Sequence, residues 1–93
     1  KPMGPWIETD ADPTRMRTAV RLNGKTVSDF DTNNMVFGIA TYISAMTRYL
    51  TLYPGDVIWM GTDGATHNIK PGDLVDIEIS GVGVLSNPVV AED

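Results

Sequence analysis

Residues with the types and spacing to do chemistry are concentrated in Gly61-Thr62-Asp63-Gly64-Ala65-Thr66-His67-Asn68, which combines hydroxyls, a carboxylate, an imidazole and small residues. A loop of this kind, held by rigid strands, aims a hydroxyl and several backbone N–H groups at a carboxylate or oxo group, an approach that bulky side chains would block. On composition alone the plainer reading, an ordinary long connection between strands, is preferred. Glu8, Asp10 and Asp12 form a second set, able in principle to offer oxygen ligands to a hard cation such as Mg²⁺. Asp12-Pro13 nevertheless reads more naturally as a turn, and alternating acids on a surface segment need no ion. His67 is the sole histidine, so one copy of the chain completes neither a Ser-His-Asp triad nor a two-histidine metal site. It reads as a loop residue rather than a general base. The absence of cysteine removes thiolate nucleophiles, disulfides and sulfur-based zinc sites, and fits a reducing cytoplasm.

The elements that must hold the loop are legible around it. Over residues 16–30, two short runs flank Asn23-Gly24, the pair suited to the positive φ angles of a two-residue hairpin turn. Met16, Thr18, Val20 and Leu22 alternate with Arg17, Ala19 and Arg21, giving a packed face and a face where the arginines meet solvent. Thr32-Asn33-Asn34 offers N-cap side chains, and Met35, Ile39, Tyr42, Ile43, Met46, Tyr49 and Leu50 then recur at spacings of three and four. This predicts one amphipathic helix whose Met and aromatic stripe packs on a sheet. Pro54-Gly55-Asp56 and Pro71-Gly72-Asp73 have the order of type II turns, each expected to launch a strand. The first leads into Val57-Ile58-Trp59-Met60, suited to a strand covered on both faces, and the second into the alternating Val75, Ile77 and Ile79. Gly81 and Gly83 suggest a bulge or a barrel corner, with short strand pieces at Val84-Leu85 and Pro88-Val89-Val90.

With 93 residues the chain forms at most one small domain, and a chain of that size buries only about 60–65% of its unfolded surface. An apolar fraction of 42% with nine Gly and six Pro predicts a turn-rich, largely β structure with one helix, of α+β class. The net charge of −5, with no basic block beyond Arg15, Arg17 and Arg21, excludes nucleic acid as an expected partner. No apolar stretch approaches the roughly 20 residues that span a bilayer, and the first residues contain no signal-peptide apolar region, so no membrane partner and a cytoplasmic location are expected. The chain begins without Met, in a Pro-rich segment carrying an apparently buried Trp6, and the expectation is that sequence upstream is missing.

Taken in order, several segments resemble the fumarylacetoacetate hydrolase family. They are Pro2-Met3-Gly4-Pro5-Trp6-Ile7, Leu22-Asn23-Gly24 with Thr32-Asn33-Asn34-Met35, and Thr51-Leu52-Tyr53-Pro54-Gly55-Asp56-Val57-Ile58. Gly61-Thr62, Lys70-Pro71-Gly72-Asp73 and Ile79-Ser80-Gly81-Val82-Gly83-Val84-Leu85-Ser86-Asn87-Pro88-Val89-Val90 follow, similar to that family's closing block in order and spacing. The resemblance implies that residues 1–93 are the C-terminal portion of a single catalytic domain, part of a mixed β-roll, usually dimeric and dependent on Mg²⁺ or Mn²⁺. It further implies action on small 2-oxo or β-diketo acids by C–C bond hydrolysis, decarboxylation or enol–keto isomerisation. All three reactions pass through an enolate, so the resemblance does not choose among them.

In that family the metal sits on a Glu-x-Glu pair and two Asp that precede the Gly-Pro-Trp segment, and the catalytic Lys also precedes it. None of these is carried by this chain, and Lys1 takes no such role. The implied ligands therefore lie outside the 93 residues, and the chain alone is expected to be inactive. What carries over is the Gly-Thr motif, on Gly61 and Thr62, whose counterpart helps hold a substrate carboxylate or oxo group. Where many members continue with Thr-Pro and a Gly-Val-Gly loop, this sequence has Asp63-Gly64-Ala65-Thr66-His67, so no single member's substrate preference transfers. The alternative is a non-enzymatic small β domain that binds a carboxylate ligand, or a protein partner through a sheet edge.

Overall fold

A computed structural model describes residues 2–64 and 66–92; the sequence readings that touch Lys1 and Ala65 lie outside the described residues. Asn23 and Gly24 take φ angles of 51° and 80°, and their turn joins β1 (Arg17–Leu22) to β2 (Lys25–Asp31) with Leu22 opposite Lys25, the hairpin the sequence predicts. The register slips between Val20 and Arg21, which face Ser28 and Thr26. The residue between, Val27, is thus the extra residue of a β-bulge.

β1 also pairs antiparallel with β3 (Leu74–Ile79), and β3 with β4 (Gly83–Pro88), giving a four-stranded antiparallel sheet in the order β2-β1-β3-β4. Opposed residues share a face. Val20 and Leu22 therefore join Phe30, Val75, Ile77, Ile79 and Leu85 on an apolar face. Arg17 and Arg21 join Asp29, Asp31, Asp76, Glu78 and Ser86 on a charged one. There Arg17 binds Asp29 through Nε–Oδ1 (2.5 Å) and Nη2–Oδ2 (2.7 Å), and Arg21 pairs with Glu78. Gly81 and Gly83 belong to the tight turn linking β3 and β4, where Val82 N–H donates to Ile79 O at 3.0 Å; they are not a barrel corner.

Both Pro-Gly-Asp turns form, with φ of 96° at Gly55 and 94° at Gly72 and closing bonds from Asp56 N–H to Tyr53 O and Asp73 N–H to Lys70 O. Only the second launches a strand. Residues 57–60 form no strand, and Val57 and Trp59 are more than half exposed. A continuous apolar run becomes a doubly covered strand only where neighbouring strands pair with it and both its faces are covered, and here only Ile58 and Met60 are half-buried while Val57 and Trp59 stay exposed.

The helix is shorter than its periodicity suggests. α1 (Ile39–Met46) starts at Gly38 without a side-chain cap, while Thr32-Asn33-Asn34 forms a single 3₁₀ turn instead. Thr32 Oγ1 is already engaged, accepting from Met16 N–H at 3.2 Å and contacting Pro13 O at 2.6 Å, so it ties the start of β1 rather than capping a helix. Ile39, Ile43 and Met46 form a half-buried stripe, but no residue of α1 is buried, and the extensive contacts between elements are all strand to strand. The predicted packing of this helix on the sheet is thus not realised within the described residues. Trp6, expected to be buried, is 60% exposed and touches the sheet by one ring edge, over Gly83. No hydrophobic side chain among the described residues is fully buried.

Candidate functional site

The apolar face of the sheet is partly roofed by the loop after residue 60, and between them lies a cleft of about 230 Å³. Val20, Leu22, Val27 and Val75 form its floor; Ile69 and the polar Ser28, Thr62, Asp63, Thr66 and His67 line its sides. The floor follows from the period of two in β1 and β3, and the polar rim follows from the loop composition.

Gly61, at φ 90°, turns the chain into Thr62 in a conformation that a side chain would resist. The Thr62 hydroxyl donates to Asp63 O at 3.4 Å, a distance at the weak limit of a hydrogen bond, so a ligand oxygen competes for it easily. Asp63 Oδ1 accepts the Gly64 N–H at 2.7 Å. Ser28 Oγ donates to Asp63 O at 3.4 Å, and a Cβ on Gly64 would stand only 3.2 Å from that Oγ. His67 Nε2 lies 2.9 Å from the carbonyl oxygen of Val27. A carbonyl only accepts, so Nε2 carries the proton and donates.

Of the two residues singled out in the Gly-Thr motif, Thr62 lines the cleft together with Asp63, Thr66 and His67, and Gly61 precedes it in sequence without lining the cleft. Ser28 was not singled out from the sequence. Its signal was a lone small polar residue at an inward position of β2, visible only once the register across the bulge is known.

The acidic set near the start behaves differently. Glu8 Oε1 accepts Asp10 N–H at 2.9 Å. Asp12 Oδ1 accepts both the N–H (2.9 Å) and the hydroxyl (2.6 Å) of Thr14, bonds that hold the Asp12 carboxyl below its ordinary range. These are local turn contacts. Among the described residues no three His, Cys, Asp or Glu side chains come close enough to hold an ion, so the reading of Glu8, Asp10 and Asp12 as a self-contained metal site does not fit. No helix among the described residues is long and apolar enough to cross a membrane.

Comparison with known proteins adds to this geometry. Residues 1–90 match the family model described as fumarylacetoacetate (FAA) hydrolase C-terminal. The 4-hydroxyphenylacetate degradation bifunctional isomerase/decarboxylase of Salmonella dublin is 38% identical over 95 residues, covering 99% of this chain and 22% of that protein. The crystal structure of 5-carboxymethyl-2-hydroxymuconate delta-isomerase from Mycobacterium smegmatis superposes with a TM-score of 0.92 at 37% identity, covering 97% of this chain and 36% of that one. Maleylpyruvate hydrolase from Sphingobium sp. SYK-6, solved with manganese(II) and pyruvate, superposes with a TM-score of 0.91 at 30% identity, over 97% and 35% of the two chains. The chain spans well under half the length of the relatives it matches.

Proposed function

The chain belongs to the fumarylacetoacetate hydrolase family, and from that premise we propose that it supplies the substrate-orienting side of an enzyme site for small 2-oxo or β-diketo acids. The reaction is C–C bond hydrolysis, decarboxylation or enol–keto isomerisation, in line with the activities named for its relatives. The observation that carries the reading is the Gly61-Thr62 turn at the mouth of an apolar-floored cleft, with a weakly engaged hydroxyl. Thr62 donates to a carboxylate or oxo oxygen of the substrate, and the aliphatic floor offers a surface for the substrate's apolar part. The Mg²⁺ or Mn²⁺ of this reading would be held by residues outside the 93, contributed by the rest of a longer polypeptide or by a different chain that carries the acidic ligands.

The test is turnover of acylpyruvates and oxaloacetate by the protein at its natural length, with Mg²⁺ or Mn²⁺ supplied and then chelated. Thr62→Val keeps the volume and removes the donor. Loss of a hydrogen bond to a charged oxygen is worth about 1.5–3 kcal/mol, so kcat/KM should fall about 10- to 100-fold. An unchanged kcat/KM would remove Thr62 from the site. No turnover of either substrate class with any metal would leave a carboxylate-binding domain.

A further inference from the structure

The cleft loop is fastened to the sheet at a place where the sheet is irregular. Val27 is the bulged residue of β2, and its carbonyl accepts the Nε2–H of His67 at 2.9 Å. A bulge re-aims the backbone groups of the strand that carries it, and bulges recur beside functional sites for that reason. On the same strand, the neighbouring Ser28 reaches Asp63 O at 3.4 Å, a weak second contact, so the strand touches the loop at two points within the segment that lines the cleft. The His67 bond is the shorter of the two and better within hydrogen-bond range. Every residue from 61 to 70, His67 included, is exposed wherever its burial is described, so hydrophobic burial does little to hold this loop.

We infer that His67 is a positioning residue: its imidazole, hydrogen-bonded to the bulge carbonyl of Val27, fixes the loop so that Thr62 meets the substrate's carboxylate or oxo group already oriented. This rests on the role proposed above for Thr62. His67 takes no proton from the substrate and acts only through its Nε2–H bond to Val27 O. Its contribution is to spare the loop the conformational entropy of ordering when substrate binds, which is a contribution to uniform binding and appears in KM more than in kcat.

The experiment measures KM and kcat for an acylpyruvate in the natural-length protein carrying His67→Leu, His67→Gln, Thr62→Val, and the His67→Leu/Thr62→Val pair. Losing one neutral hydrogen bond predicts a rise in KM of about three- to tenfold for His67→Leu with kcat changed less than about twofold. Gln places an amide N–H near the Nε2 position and should restore most of the affinity. In the Thr62→Val background His67→Leu should raise KM less than about twofold, because the group it positions is gone. A KM unchanged by His67→Leu, full multiplication of the two effects, or equal damage from Gln and Leu would overturn the role of His67. Thr62→Val without effect would instead sink the reading of Thr62 itself, whatever His67 does.

Discussion

At Gly83 the backbone has φ 137°, and a Cβ there would lie 3.1 Å from Trp6 Cζ2 and 3.2 Å from both Pro5 Cγ and Trp6 Cη2. Two separate demands therefore exclude a side chain: a backbone region that L residues rarely adopt, and a ring edge occupying the space. Gly83→Ala should lower the free energy of unfolding by about 1–3 kcal/mol, the usual range for overpacking, read from urea melts followed by circular dichroism. Trp6→Ala separates the two demands. If the indole is the obstacle, Gly83→Ala should cost less in the Trp6→Ala background, whereas an unchanged cost would assign the whole effect to φ. The sequence marks both residues, but reads Trp6 as buried and Gly83 as part of a bulge or a barrel corner, because neither pattern shows that the two meet across the chain from opposite ends.

Among the elements, one hydrogen-bonded junction joins two turns far apart in sequence. Asn23 Nδ2 donates to Asp73 Oδ1 at 2.9 Å, Asn23 Oδ1 accepts Leu74 N–H at 2.9 Å, and Asp73 Oδ2 accepts Lys70 N–H at 2.9 Å. Val89 N–H donates to Asp73 O at 2.8 Å, which ties in the end of β4. These bonds to its charged form, the Asn23 amide foremost, hold the Asp73 carboxyl below its ordinary value of 3.8. The stabilisation is therefore complete above the unfolded value and is lost as pH falls through the lower folded one. Urea midpoints should be flat from pH 7 to about 5 and decline below about pH 4. Asn23→Gly tolerates the φ of 51° but deletes the amide, so it should shallow that decline; an acid limb of undiminished steepness would show that Asp29 and Asp12, also held low by Arg17 and Thr14, carry it. Each of these turns is legible alone, as Asn-Gly or Pro-Gly-Asp, because a few residues' dihedral preferences decide it. The hairpin and the alternation of β3 follow for the same local reason. The strand expected at residues 57–60 and the helical turn expected from Met35 fail because they depend on what covers them, and Gly38 begins the helix late. The candidate site divides in the same way: Gly61 and Thr62 stand out in sequence, while Ser28 and the anchoring of His67 depend on a one-residue slip in register.

The molecule as a whole exposes 7474 Å², against about 5,300 Å² for a compact monomer of its mass, and its radius of gyration of 15.0 Å exceeds the roughly 12 Å of a compact domain of that length. The excess of about 2,200 Å² is as large as one side of an obligate interface. Part of that surface is apolar: Val36, Phe37, Tyr49, Tyr53, Val57 and Trp59, in the segments that precede and follow α1 in sequence, are each more than half exposed. Large contiguous apolar surface is not maintained in water without a covering partner. The 93-residue chain by itself should thus enhance the fluorescence of an apolar dye such as anilinonaphthalene sulfonate and self-associate at micromolar concentration, with tryptophan emission characteristic of solvated indole. Its amides in β1 and β3, the central strands, should exchange with solvent more slowly than those in α1, whose hydrogen bonds no buried side chain shields. Within the longer polypeptide proposed above, the dye response should vanish and the amides of α1 should become as protected as those of β1. Dye binding of equal strength in both would mean that this surface stays open in the complete molecule and that α1 is a docking face for something else. Slow exchange in α1 of the short chain would mean that the helix is held by contacts within these 93 residues after all.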